Sequence, residues 1–264
     1  MLNIDDRVLI NIENKVAVVT LTRSEKHNAL DMPMFYAIDK SIHLLRKRRD
    51  VRVVIVKGEG ESFCSGLDVK SVLTNKKNAL KLLWKWLPGN ANLAQRVTVG
   101  WRQLKVPVIM VLHGKCWGGG MQIALGADYR IASPECSLAI METRWGLIPD
   151  MGGTLGLAEN VTADQAMILA MTSKPISAVQ ALNIKLVSQV SESPEQSALE
   201  LAEEIIERSP DAVNTIKRVY HSIWCRQSRS ILAKETLNQW SIIFRKNRYI
   251  AVKKAMGKTD IDYV

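Results

Sequence analysis

Val106-Pro107-Val108-Ile109-Met110-Val111-Leu112-His113-Gly114-Lys115-Cys116-Trp117-Gly118-Gly119-Gly120-Met121-Gln122-Ile123-Ala124-Leu125 is the stretch from which the rest of the chain is read. Its β-branched apolar run, Val106 to Leu112, predicts a buried strand. Three glycines follow, and an apolar helix start begins at Met121. A strand that runs through bare glycine into a helix leaves unpaired backbone N–H groups, and the helix dipole adds partial positive charge there. Such a place suits an anion, or an oxygen that becomes an anion during a reaction.

On the N-terminal side, Val8 to Ile12 and Val16 to Thr22 alternate as strands around Glu13-Asn14, a hairpin signal. Asp31 predicts a helix N-cap with Pro33 in the first turn, and Met34, Ile38, Ile42 and Leu45 give that helix an apolar face to about Arg49. Val51 to Lys57 predicts a strand, followed by the loop Phe63-Cys64-Ser65-Gly66-Leu67-Asp68. Lys76 to Leu104 is helical in pattern, broken at Pro88-Gly89-Asn90. Beyond the opening stretch, strands are expected at Tyr129 to Ala132, Ser137 to Met141 and within Leu182 to Val190. The remainder after Gly152-Gly153 reads as helix. The unit is strand, strand, helix, unlike the strict alternation of a doubly wound sheet.

The chain has 264 residues, 47% apolar and 23% charged, the balance of a soluble globular protein. No apolar run approaches the roughly 20 residues that span a bilayer, and the acidic start, Asp5-Asp6, lacks the order of a signal peptide. A cytoplasmic protein is the expectation. Cys64, Cys116, Cys136 and Cys225 lie far apart without a Cys-x-x-Cys pair, so buried thiols are expected and no metal site is indicated. The net charge of +10 suits a phosphorylated ligand or a nucleic acid, but no aromatic-interleaved basic motif supports the latter. Arg46-Lys47-Arg48-Arg49 reads as a solvated helix end, where cations complement the dipole.

Familiar glycine motifs fail. A dinucleotide fingerprint begun at Gly118 would need glycine at Ile123. A P-loop begun at Gly114 would need Gly-Lys-Ser/Thr where Gly119, Gly120 and Met121 stand. Ser65 is flanked by Phe63 and Leu67, so it is no nucleophile elbow. Two glycine-bearing loops remain, Ser65-Gly66-Leu67 and Gly118-Gly119-Gly120, each after a strand. Their N–H groups could converge on one oxygen, where losing a donor typically costs roughly 10²–10³ in rate. Two tight turns that need glycine sterically are the alternative.

Together with Asn28-Ala29-Leu30, Gly126-Ala127-Asp128 and Gly146-Leu147-Ile148-Pro149 before Gly152-Gly153, these loops resemble the crotonase superfamily, the enoyl-CoA hydratases and isomerases. The resemblance runs from about Arg23 to Leu157 and is looser beyond. It implies an α/β fold, a crotonase-like spiral of ββα units with a C-terminal helical region. Residues 1–200 would form the spiral core with an acyl-CoA site, and 201–264 a helical trimerisation region. It also implies a coenzyme A thioester substrate with no separate cofactor, and a homotrimer or a hexamer of two trimers. By motif position, Leu67 and Gly119 would be the oxyanion donors. Lys26, Ser65, Gly66, Asp68 and Gly118 would line the coenzyme A site, with Lys258 a weaker C-terminal match.

Hydratases of the superfamily use two glutamates. Here one matches Glu142, while the other position holds Gln122, which cannot ionise and so cannot be a base. Asp150 matches a carboxylate that works with the Glu142 position in dienoyl-CoA isomerases, although those carry an aspartate in place of Gln122. In a dehalogenase branch an aspartate at the Asp150 position is the nucleophile, but that branch lacks the glutamate. A double-bond shift needs one group to take a proton and one to return it. Burial near Ile140, Met141, Trp145 and Ile148 should raise at least one carboxylate. The reading is therefore proton transfer by Glu142 with Asp150, hydration through a water held by Gln122 coming next. A catalytically impaired acyl-CoA-binding relative is a third reading. The acyl pocket is expected near Leu82, Leu83, Trp84, Trp86 and Leu87.

Overall fold

The computed structural model describes residues 1–73, 76–224, 228–257 and 263. Its strands are β1 (Leu2–Ile4), β2 (Val8–Glu13), β3 (Val16–Leu21), β4 (Val53–Gly58), β5 (Val108–Leu112), β6 (Lys115–Trp117), β7 (Tyr129–Ala132), β8 (Ser137–Ala139), β9 (Ile176–Ser177) and β10 (Gln189–Val190). Helices α1 (Met32–Lys47), α2 (Val69–Leu73), α3 (Lys76–Leu83), α4 (Leu93–Arg102), α5 (Gly119–Ala124) and α6 (Gly153–Asn160) alternate with them. Then come α7 (Ala163–Thr172), α8 (Ala178–Asn183), α9 (Pro194–Ile206), α10 (Pro210–Trp224), α11 (Ser228–Ile243) and α12 (Lys246–Ala255). The main sheet runs β1-β2-β3-β4-β5-β7-β10, parallel from β3 onward, and a smaller sheet runs β6-β8-β9. This is the mixed α/β architecture with a helical C-terminal region that the sequence predicts.

A parallel sheet is buried on both faces, so its strands read as continuous apolar runs rather than alternating ones. Val54, Val56, Val108, Met110 and Leu112 point to one face, where Ile38 and Ile42 of α1 and Val97 and Trp101 of α4 cover them. Val53, Ile55, Ile109 and Val111 point to the other, against Ala198 and Ala202 of α9. These alanines lie one turn apart on a single helix face, so their small side chains let α9 lie close on the sheet. The position 200 boundary falls within this helix.

Local signals mostly carry through. Asp31 caps α1, accepting from the Met34 N–H at 2.8 Å, and Pro33 sits in the first turn. The β2–β3 turn is carried by Asn14 and Lys15, both at positive φ, the backbone a two-residue hairpin of this twist requires. The basic run after Leu45 does end a helix, and Arg48 pairs with Asp50. One expectation is corrected. Leu182 to Val190 supplies a strand only at its end: Leu182 and Asn183 close α8, and Gln189 and Val190 alone pair, with β7. Between them the backbone bonds are local, from the Lys185 N–H to the Leu182 carbonyl and from the Leu186 N–H to the Ala181 carbonyl, which leaves little extended chain for a ladder.

Candidate active site

Loop 62–68 is threaded against β6. The Cys64 N–H donates to the Lys115 carbonyl at 3.0 Å, and the Trp117 N–H returns a bond to the Cys64 carbonyl at 3.0 Å. Asn28, fully buried, donates to the carbonyls of Glu59 and Ser62 and accepts from the Arg23 N–H. That network fixes the neighbouring loop, whose Leu30 N–H donates to the Gly66 carbonyl while its carbonyl accepts from Asp68. Pairing with Leu30 consumes one side of this extended segment, so the Leu67 N–H points to the other side. Gly119 is the first residue of α5, where an N–H has no intrahelical acceptor. Gly66 has φ +93°, and a Cβ placed on it would stand 2.8 Å from the Trp117 carbonyl oxygen and 3.4 Å from the Gly119 nitrogen. The two loops therefore meet at glycine backbone.

Beside them lies a cavity of about 460 Å³, lined by Ser65, Gly66, Leu67, Gly118 and Gly119 and by the carboxylates Glu142 and Asp150. Glu142 opens the 3-10 turn Glu142–Trp145, and its Oε1 lies 3.7 Å from where a Cβ on Gly118 would be. Burial raises the Glu142 carboxyl above its ordinary range, against the pull of its hydrogen bond from Gln122. Its Oε2 is out of contact with solvent and has no hydrogen-bond partner among the described residues.

Gln122 itself does not line the cavity; it stands behind Glu142. Its oxygen accepts from the Met151 N–H at 2.9 Å and the Gly153 N–H at 3.4 Å. That turns its nitrogen to Glu142 Oε1, 2.6 Å away. An amide pinned at its oxygen has one orientation left, so it is a fixed donor to the glutamate.

Asp150 is half-buried, and its carboxyl is pushed up to about 8 by burial first, then by the carboxylates of Glu235 and Glu142. It does not cap α6, whose N-cap is Gly152. Gln239 on α11 accepts from the Ile148 N–H at 3.1 Å and hydrogen-bonds Asp150 through its side chain. Glu235 and Gln239 carry no motif. Their signal was polar residues on the stripe Leu232, Glu235, Thr236, Gln239, which is the buried face of α11.

Other expected residues fall elsewhere. Asp68 accepts from the Ser71 N–H at 3.1 Å and pairs with Arg23 at 2.9 Å, holding the start of α2. Lys26 is exposed outside the cavity wall, although its carbonyl accepts from the Ser65 hydroxyl at 3.4 Å. Lys258 lies outside the described residues. Leu82 and Leu83 do line the cavity, but Trp84 and Trp86 are 64% and 84% exposed, so the expectation that they wall it is corrected. They follow the end of α3, past the turns that face the core. Trp117 and Trp145 line the cavity instead. Cys64, Cys116 and Cys136 are buried thiols, with Cys64 and Cys136 pushed up to about 12 by burial; Cys225 lies outside the described residues. Among the described residues no helix is long and apolar enough to cross a membrane.

The fold is that of the crotonase superfamily. An enoyl-CoA hydratase/isomerase from Pseudoalteromonas atlantica T6c superposes with a TM-score of 0.85 over 98% of this chain and 100% of that one, at 19% identity. The model of the enoyl-CoA hydratase/isomerase family matches residues 11–254, and the chain belongs to that family. It is 33% identical to the short-chain-enoyl-CoA hydratase of Clostridium acetobutylicum, covering 81% of this chain and 80% of the relative. It is 30% identical to the carnitinyl-CoA dehydratase of Salmonella enteritidis, over 77% and 76% respectively.

Proposed function

We propose that the protein shifts a double bond in an enoyl-CoA thioester by proton transfer. The thioester oxygen sits between the N–H groups of Leu67 and Gly119. Glu142 takes a proton from the acyl chain, the negative charge moves onto that oxygen, and Asp150 returns a proton at the other carbon. The observation that carries this reading is that one cavity holds both glycine loops and two carboxylates, one of them raised to about 8. An acid that keeps its proton at neutral pH beside a second carboxylate supplies the two halves of such a transfer. Ser65, Gly66 and Gly118 give the backbone wall along which the thioester lies, and the Lys26 carbonyl accepts from the Ser65 hydroxyl.

Hydration of a 2-enoyl-CoA is the second reading, favoured by relatives that bear hydratase and dehydratase names. There Glu142 alone activates the water, because Gln122 is held as a donor. Purified protein incubated with 2-enoyl, 3-enoyl and 3,5-dienoyl-CoA esters separates the two. Isomerised enoyl product is expected, and a 3-hydroxyacyl product without it would sink the first reading. Glu142→Gln should lower turnover by roughly 10²–10⁴, and a variant of full activity would sink both. The working assembly is a homotrimer or a pair of trimers. The exposed Met167, Ile168 and Met171 on α7 supply an apolar face for it, and light scattering reads the mass.

A further inference from the structure

Asp150 precedes α6, and the first N–H groups of a helix are ready donors to a carboxylate. Bonds from them would draw Asp150 toward its ionised form. The structure gives those donors away. The Met151 and Gly153 N–H groups go to Gln122, and the Gly152 N–H between them goes to Glu235 Oε2 at 2.9 Å. Glu235 sits on α11 and is 5% exposed. Its Oε2 also accepts from Gln95 Nε2 at 3.0 Å, and its Oε1 accepts from the Thr154 hydroxyl. Gln95 cannot turn away. Its oxygen receives the Asn92 N–H at 3.2 Å and Lys85 Nζ at 3.3 Å.

Burial raises the Glu235 carboxyl above its ordinary range, and three donors with an ammonium one residue behind oppose that burial and draw it toward the anion. Asp150 is faced by Glu142 from the 3-10 turn and by Glu235 and Gln239 from α11. Arg144 and Arg248 line the same cavity, but neither forms an ion pair with Asp150 among the described residues. We propose that Glu235 is a positioning residue: the standing anion that takes the Gly152 donor and so makes Asp150 the group that carries the proton. This rests on the reading of Asp150 as proton donor for its purpose, though not for its measurement.

The test is a carboxyl ¹³C NMR titration of the full-length protein labelled at Asp and Glu, with Asp150→Asn and Glu235→Gln used for assignment. In the unmutated protein Glu235 should lose its proton at lower pH than Asp150. In Glu235→Gln the Asp150 midpoint should fall from about 8 by roughly one pH unit. Glu235→Asp, which keeps the charge, should restore most of it. The alkaline limb of the kcat profile should move with the midpoint. An Asp150 midpoint unmoved by Glu235→Gln overturns the proposal. So does a Glu235 that stays protonated after Asp150 has ionised in the unmutated protein. An Asp150→Asn enzyme of full activity would instead sink the catalytic reading and leave the titration result standing.

Discussion

Gln122 Nε2 lies 2.6 Å from Glu142 Oε1, while Gln122 Oε1 is held by the Met151 N–H at 2.9 Å. The side chain thus ties Glu142 to the stretch of backbone that carries Asp150. Gln122→Glu would set a second carboxylate against Glu142, and two acids at that distance share one proton. The expected outcome is a gain in 3-hydroxyacyl product from 2-enoyl-CoA relative to isomerised product, read by chromatography of the esters. Gln122→Leu would leave the buried Met151 N–H without an acceptor. That costs about 1–3 kcal/mol, visible as a lower urea midpoint.

Gly66→Ala tests the oxyanion loops. The residue has φ +93° and faces the Trp117 carbonyl and the Gly119 nitrogen, so an added methyl must push the two loops apart. Separating the Leu67 and Gly119 donors should lower kcat by roughly 10²–10³. Circular dichroism should stay native, because the substitution lies outside the main sheet.

Asp150 gives a signed pH dependence of stability. Its folded value of about 8 stands well above that of an unfolded aspartate, near 4 by ordinary reference (about 3.9). Between those values the native state holds a proton that the unfolded chain has released, so stability falls as pH rises through the window. Asp150→Asn should flatten that fall, measured as the denaturation midpoint between mildly acidic and mildly alkaline buffers. A slope left unchanged would show that Asp150 is not the group responsible.

Asp128 works in the opposite sense. It accepts from the Val108 N–H and Lys217 Nζ at 2.7 Å each, and from His221 at 3.0 Å. Burial opposes its ionisation, yet Lys217 and His221 hold it below the usual carboxylate range. The stability it contributes is complete at neutral pH and is lost as pH falls through that lowered value. Asp128→Asn strands a buried ammonium and should cost about 3–5 kcal/mol. Hydrogen exchange should show α10 loosening first.

The residues that the sequence made legible are those fixed by backbone geometry. Gly118 and Gly119 follow a strand whose apolar run is unmistakable, and Glu142 and Asp150 sit at set spacings from the next glycines. Glu235 was illegible because its partners, Gly152 and Gln95, are brought to it only when α11 folds back over α4 and α6. Trp84 and Trp86 misled for the converse reason. Their chemistry argues for burial, but the end of α3 turns them to solvent. Gln122 was read correctly as a residue that cannot ionise. Its part as a strut depended on two N–H groups nearly thirty positions away, a distance the contacts at Met151 and Gly153 make concrete.

Ile243, Val252 and Ala255 bring the last two helices into the cavity wall opposite the glycine loops. Among the described residues no strand follows them, and none of the main sheet's ladder passes through them. The same two helices also reach the carboxylates: Glu235 and Gln239 of α11 hold the backbone around Asp150, and Arg248 and Ala251 of α12 abut Gly146 at the end of the turn that Glu142 opens. A change in either helix therefore reaches the cavity wall and the two carboxylates together. Shape and charge in this cavity are set by one piece of chain, so neither can be altered there without the other.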